Sequence, residues 1–126
     1  MDHKLKLMVV DDSPLFRTWL IHSLSADDRF QVVGYAVNAL DAQEKIPLLQ
    51  PDMLTLDIEM PGMSGIDFLK QLLPVHPIPV ILVSSLNLRV FDALEAGAVD
   101  FVRKPDEANG LSKEIFLSML RSKLLV

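Results

Sequence analysis

Short apolar runs alternate with amphipathic segments along the whole chain. The runs lack a polar face, as expected for strands of a parallel sheet that is covered on both sides. They predict strands at residues 5–10, 30–35, 52–56, 79–83 and 99–102. Apolar residues at helical spacing predict helices in segments 13–25, 38–47, 66–73, 88–96 and 111–124. The chain is therefore expected to fold as a series of βα units.

Residues typical of helix ends support these boundaries. Ser13-Pro14 joins a hydroxyl that can cap a helix to a proline suited to its first turn. Asn38 is a second candidate cap, and Gly97 is suited to end the fourth helix. Pro47 is expected to end or distort the second helix, because proline cannot donate a backbone hydrogen bond.

The alternation predicts an α/β fold of the doubly wound type, a five-stranded parallel sheet with helices on both faces. The length of 126 residues fits one domain, residues 1–126. In such folds, ligands bind beyond the carboxyl ends of the strands, near the point where the strand order reverses. Functional residues are therefore expected at those ends.

Polar residues follow four of the five predicted strands. Asp11 and Asp12 follow the first, Asp57 the third, Ser84 the fourth and Lys104 the fifth. Because the carboxyl ends of parallel strands share one edge of the sheet, these side chains are expected to meet there.

Composition and charge exclude several other classes of protein. The net charge is −5 and the basic residues are scattered, which argues against direct nucleic-acid binding. The chain has no cysteine, so it has neither disulfides nor thiolate metal sites. No apolar run approaches the length of a membrane span, and the N-terminus lacks the apolar segment of a signal peptide. A cytoplasmic protein without membrane insertion is the expectation.

Three carboxylates at one edge suggest a divalent cation, because grouping them without one is unfavourable through like-charge repulsion. Mg²⁺ prefers oxygen ligands and retains several waters. Asp12 and Asp57 are the expected direct ligands, and Asp11 is expected to act through water. The backbone carbonyl of Glu59 is a further candidate ligand. The remaining positions would take phosphoryl oxygens.

Phosphoryl transfer to a carboxylate suits the same group of residues. Asp57 is the expected nucleophile, which would form an aspartyl phosphate. Lys104 would neutralise charge on the transferred group, and Ser84 would donate its hydroxyl to a phosphoryl oxygen. Pro105 would aim Lys104 inward if the bond between them were cis.

Each residue taken alone has a purely structural explanation. Asp57 could form a turn, Asp11-Asp12-Ser13 could cap a helix, and Lys104-Pro105 could lie in a surface loop. Their joint placement at four strand ends favours a functional site.

With these residues in view, the chain resembles the receiver domain of two-component response regulators from about residue 5 to residue 124. The similar segments are VVDDS at 9–13, LDIEMPGMSG at 56–65, Val83-Ser84 and Lys104-Pro105. Within the family it is most similar to the receiver half of the chemotaxis protein-glutamate methylesterase, through DIEMPGMSGIDFL, PVILVSSL and GAVDFVRKP.

The resemblance implies a flavodoxin-like fold with strand order 2-1-3-4-5. It implies that Asp57 accepts phosphate from a sensor histidine kinase, or a small phosphodonor, in a Mg²⁺-dependent reaction. Ser84 and Phe101 would form the switch, and an effector domain or output protein would bind the face formed by the fourth helix, the fifth strand and the fifth helix. The domain itself would be a switch rather than an enzyme, and the regulatory part of a larger, methylesterase-like protein.

The chain departs from the family pattern in three places. Ser64 stands where aspartate is commoner, and Phe101 stands where tyrosine is usual, so the switch has no hydroxyl there. The stretch 84–97 is shorter than usual, which predicts a trimmed fourth helix or preceding loop.

Two other functions stay open at this point. An aspartyl-phosphate phosphatase would need a second acid two residues after the nucleophile, where Glu59 stands. A phosphorylation-independent interaction module is disfavoured by the complete set of acids and the lysine.

Overall fold

The computed structural model describes residues 3–85, 90–106 and 112–125. The strands are β1 (Leu5–Val10), β2 (Phe30–Ala36), β3 (Met53–Leu56), β4 (Val80–Ser84) and β5 (Asp100–Arg103). The helices are α1 (Pro14–Ser25), α2 (Ala39–Leu49), α3 (Gly65–Leu72), α4 (Val90–Glu95) and α5 (Lys113–Leu124).

The strands form one parallel sheet with the order β2-β1-β3-β4-β5, as predicted. β2 lies on one side of β1, and β3 lies on its other side. The strand order therefore reverses between β1 and β3. Val10 pairs with Leu56 in the register of these two strands. Asp11 and Asp57, the next residues along, are therefore neighbours at the carboxyl edge.

Each face of the sheet is covered by its own apolar cluster. On one face, Met8, Leu54 and Leu82 lie in a cluster with residues of α2 and α3, such as Ile46 and Phe68. On the other face, alternate strand residues pack against α1 and α5; this cluster includes Leu7, Val9, Ile81, Leu20 and Phe116. Burial on both faces explains why the strands carry no polar stripe.

The predicted helix caps are present. Ser13 accepts a hydrogen bond from the Phe16 N–H at 3.4 Å, and Asn38 accepts one from the Asp41 N–H at 2.8 Å. Ser64 and Ser112 cap α3 and α5 in the same way, and these two caps were not predicted. Gly97, with φ of 110°, follows α4 as expected.

Helix α2 does not end at Pro47, and the bond before Pro105 is trans. Helix α2 continues past Pro47 to Leu49 and ends at Gln50, which has a left-handed φ of 48°. Proline removes only one hydrogen bond, and the buried Ile46 and partly buried Leu49 hold the last turn against the sheet. The cis bond considered before Pro105 is absent, since no peptide bond in the described ranges is cis.

The strand boundaries differ by one residue in places. β2 extends to Ala36, β3 starts at Met53, and β4 and β5 begin and end one residue later than expected. The first residues of predicted helix four, and Leu111 of helix five, lie outside the described residues. The described part of α4 is Val90–Glu95, and the expected trimming of this helix or of its preceding loop stays a prediction. None of the helices in the described ranges combines the length and hydropathy that a bilayer crossing requires.

Gly65 provides a close approach between α3 and the end of β3. Its N–H donates to the Ile58 carbonyl at 2.7 Å, and an added Cβ would collide with the carbonyl oxygen of Asp57. Position 65 therefore requires glycine because of backbone packing under the site.

We predict that Gly65→Ala lowers the free energy of unfolding by roughly 1–3 kcal/mol and shifts the backbone NMR signals of Asp57. Gly62→Ala is the matched control: its φ is 82°, yet nothing lies within 4 Å of an added Cβ. That variant should lose about 1 kcal/mol through backbone strain alone, without moving the Asp57 signals. Unchanged Asp57 signals in Gly65→Ala would contradict this explanation.

Candidate functional site

Asp11 and Asp57 extend the sheet ladder by one residue at its carboxyl edge. The Asp57 N–H donates to the Val10 carbonyl at 2.9 Å, and the Asp11 N–H donates to the Ala36 carbonyl at 3.0 Å. Both side chains are buried, with exposures of 2% for Asp11 and 3% for Asp57. Their backbones are therefore fixed by strand pairing, and their carboxylates are held out of water.

Asp12 completes the acidic group and faces solvent. One carboxylate oxygen from each of Asp11, Asp12 and Asp57 can be chosen so that all three lie within 4.8 Å of one another. Two buried acids and one exposed acid thus form a cluster that is open on one side. The three acids expected at this edge are together.

The two oxygens of Asp11 already have partners. Oδ1 accepts a hydrogen bond from the Ser13 N–H at 2.9 Å, and Oδ2 lies 2.9 Å from Lys104 Nζ. The carboxylate is thereby oriented by the start of α1 and by the lysine that follows β5.

Lys104 reaches between the two buried acids. Its Nζ lies 3.6 Å from Asp57 Oδ1, and its side chain is only 16% exposed. The Lys104 N–H donates to the Ser84 carbonyl at 2.8 Å, which fixes the backbone before Pro105. Asp57 Oδ1 itself is buried and accepts no hydrogen bond from any described residue. One oxygen of Asp57 thus faces a cation without being bonded to it.

Burial raises the pKa of Asp57 from 3.8 to about 7. Loss of hydration is the largest cause, Lys104 opposes it, and the charges of Asp11, Glu59 and Asp12 add to it. The single ammonium thus does not offset desolvation and the neighbouring acids. The raised pKa therefore favours the protonated form of Asp57 only below about pH 7.

Ser84 has a partner that sequence reasoning missed. Its fully buried hydroxyl donates to Glu59 Oε1 at 2.7 Å. The role expected for the Glu59 backbone carbonyl stays a prediction, whereas the Glu59 side chain holds the hydroxyl at the end of β4. In the sequence, the only signals for this contact were the glutamate two residues after Asp57 and the serine at the end of the fourth strand.

Phe101 lies on β5 opposite Leu82 and packs, partly buried, against the apolar cluster under α2 and α3. Ser84 pairs with Arg103 on the same two strands. Phe101 is thus set back from the carboxyl edge, and its joint movement with Ser84 stays a prediction.

The sequence profile of the response regulator receiver domain matches residues 7–116. The chain belongs to the response regulator receiver family. The receiver domain of a CheB protein from Thermotoga maritima has a TM-score of 0.86, 36% identity, and coverage of 98% of this chain and 96% of that one. The flavodoxin-like receiver fold expected from the resemblance is therefore confirmed.

A protein-glutamate methylesterase/protein-glutamine glutaminase of Syntrophomonas wolfei is 46% identical over 123 residues. The match covers 98% of this receiver and 36% of that relative, so the chain spans about a third of the relative's length. A solved CheX–CheY–BeF3–Mg complex from Borrelia burgdorferi contains a similar chain, at 30% identity and a TM-score of 0.72, covering 92% of this chain and 89% of that one. The predicted likeness to chemotaxis methylesterase receivers is confirmed.

Because its pKa is raised, Asp57 should make the free energy of unfolding depend on pH in a buffer without metal ions. Below about pH 4 the carboxyl is protonated in both the folded and the unfolded chain. As the pH rises to 7 only the unfolded chain loses the proton, so the folded state loses stability, and above 7 the loss levels off. We therefore predict that Asp57→Asn is more stable than the wild type at pH 8 by roughly 1–3 kcal/mol, part of the full linkage being screened by water.

The advantage of Asp57→Asn should shrink on going from pH 8 to pH 5, as measured by urea denaturation in EDTA. Asp28→Asn is the control, because Asp28 is exposed in the turn between α1 and β2 at the opposite edge of the sheet. An advantage for Asp57→Asn that is the same at both pH values would contradict the assignment of a raised pKa.

Proposed function

We propose that this receiver accepts a phosphoryl group on Asp57, in a Mg²⁺-dependent reaction, from a phosphohistidine of a sensor kinase or from a small phosphodonor. The observation that carries the proposal is the Asp57 carboxylate: it is buried among acids, and one oxygen has no hydrogen bond within the described residues. Such a carboxylate is available for bonding and lies beside a lysine.

The acidic group fits Mg²⁺ by the chemistry of its donors, which are all oxygens. Asp12 and Asp57 would hold the ion directly, and the Glu59 backbone carbonyl would be a further ligand. Asp11 would act through water, since both of its oxygens already contact Ser13 and Lys104. When bound, the ion supplies positive charge to the acids and to the phosphoryl oxygens. The similarity to the Borrelia complex, which contains Mg and BeF3, supports this assignment.

In the transfer, an oxygen of ionised Asp57 attacks phosphorus and forms a new P–O bond. The bond from phosphorus to the donor breaks, and its electron pair leaves with the imidazole nitrogen of a phosphohistidine or with the carboxylate of an acyl phosphate. Lys104, 3.6 Å from Asp57 Oδ1, pairs with the added negative charge. Asp57 must lose its proton to solvent beforehand, because burial raises its pKa to about 7.

The response to phosphorylation would begin at Ser84. A phosphoryl oxygen competes with Glu59 for the Ser84 hydroxyl, and the added negative charge repels the Glu59 carboxylate. Ser84 would then move towards the phosphoryl group, and Phe101 would turn inward on β5. Phosphorylation in this way shifts a two-state equilibrium that already exists in the protein.

The output surface proposed is the α4-β5-α5 face, which would contact an effector domain or a separate output protein. It carries exposed apolar side chains that suit a partner: Phe91 and Leu94 on α4, Val99 before β5, and Ile115 and Met119 on α5. The similarity to methylesterases supports an effector of that class in the whole protein. The other proposed partner is the sensor histidine kinase, and no direct nucleic-acid contact is proposed.

We predict that acetyl phosphate and Mg²⁺ add one acid-stable, base-labile phosphoryl group to the wild type. Asp57→Asn should take up none, because an amide is a poor nucleophile, and EDTA should prevent labelling. Asp52→Asn is the matched control, since Asp52 bonds the Lys6 N–H away from the site. Intact-protein mass spectrometry reads out the result.

Undiminished labelling of Asp57→Asn would contradict the assignment of the phosphorylation site. The same proteins also distinguish a receiver from a phosphatase. Continuous turnover of a phosphate ester would indicate a hydrolytic enzyme that uses Glu59 as its second acid.

A further inference from the structure

The ammonium of Lys104 has an aromatic neighbour as well as acidic ones. Its Nζ lies 4.5 Å from the centre of the Phe16 ring, and 2.9 Å from Asp11 Oδ2. A cation within about 6 Å of a ring centre is attracted to the electron-rich ring face, more strongly when it is partly desolvated. With a side chain only 16% exposed, Lys104 meets that condition.

The Phe16 ring is held in place by packing between α1 and α5. It contacts Trp19 with ring centres 5.7 Å apart, and it meets the fully buried Phe116 edge-on at 5.8 Å. The backbone of Phe16 is fixed in the first turn of α1, where its N–H donates to the Ser13 cap. The ring is therefore a fixed surface rather than a mobile one.

This fixed ring supplies a contact for Lys104 that the acids do not. The distance from Lys104 Nζ to Asp57 Oδ1, 3.6 Å, is too long for a hydrogen bond, and the close contact with Asp11 draws the ammonium away from Asp57. A lysine chain has several rotatable bonds, so its ion pairs with Asp11 and Asp57 alone still leave it some freedom to swing. Phe16 limits that freedom on the α1 side.

We propose that Phe16 is a positioning residue for Lys104, its ring face keeping the ammonium within reach of the phosphoryl group on Asp57. The proposal rests on the function proposed above. If it is correct, the rate of phosphoryl transfer depends on the electron density of the Phe16 ring face and not only on the size of the ring.

Fluorination separates the two roles, because it withdraws electron density from the ring face while it changes the shape little. Phenylalanine with one, two and three ring fluorines is placed at position 16 by site-specific incorporation. The first readout is the rate constant for phosphorylation by acetyl phosphate at saturating Mg²⁺, followed by mass spectrometry. The second is the NMR signal of the Lys104 side chain in the unphosphorylated protein.

The phosphorylation rate should fall stepwise with each fluorine, by roughly two- to fivefold in total. The Lys104 signal should shift in the same order, whereas the Mg²⁺ affinity should stay at its wild-type value. The same series at Phe68, a fully buried ring in the cluster on the other face of the sheet, should leave the rate and the Lys104 signal unchanged.

The proposal would be overturned if fluorination at position 16 changed neither the phosphorylation rate nor the Lys104 signal. A slow Phe16→Leu variant would not rescue it, because that result would show only that the bulk of the ring matters. A Lys104 signal that responds equally to fluorination of Phe68 would also overturn it. Absence of phosphorylation in the wild type would instead refute the function proposed for Asp57, and the positioning role with it.

Discussion

The structure depends on two carboxylates that strand pairing places side by side and buries. Asp11 and Asp57 follow paired residues on β1 and β3, so the sheet register fixes their separation before any side chain is considered. Burial and neighbouring charge disfavour the ionised form of Asp57, and Lys104 offsets only part of that penalty. Among the described residues, Lys104 does not balance the acids around Asp57, and this imbalance would favour the binding of a cation at the site.

The rest of the fold keeps this unfavourable arrangement in place. Apolar clusters on both faces of the sheet prevent the strands from relaxing outward. Gly65 allows the start of α3 to pack directly against the Asp57 carbonyl, which keeps the loop after β3 close to the site. Ser84 is held by Glu59 on the other side. Stability gained across the whole sheet thus offsets the electrostatic repulsion at one edge.

The sequence predicts the parts of this arrangement that depend on local patterns. Strand runs without a polar face indicated a doubly wound sheet, and acids at the ends of two runs indicated where Asp11 and Asp57 would meet. Contacts set by side-chain orientation, rather than by strand order, were not predictable in this way. The hydrogen bond from Ser84 to Glu59 and the ring contact between Phe16 and Lys104 depend on side-chain directions that only packing determines.

The central claim, that a buried Asp57 with a raised pKa belongs to a cation site, is tested most directly by counting protons when Mg²⁺ binds. Titration calorimetry at pH 6, repeated in buffers with different ionisation enthalpies, gives that number. The account predicts release of about one proton per Mg²⁺ from the wild type, almost none at pH 8, and none from Asp57→Asn at either pH. Binding of Mg²⁺ at pH 6 without proton release, or equal release from Asp57→Asn, would contradict it.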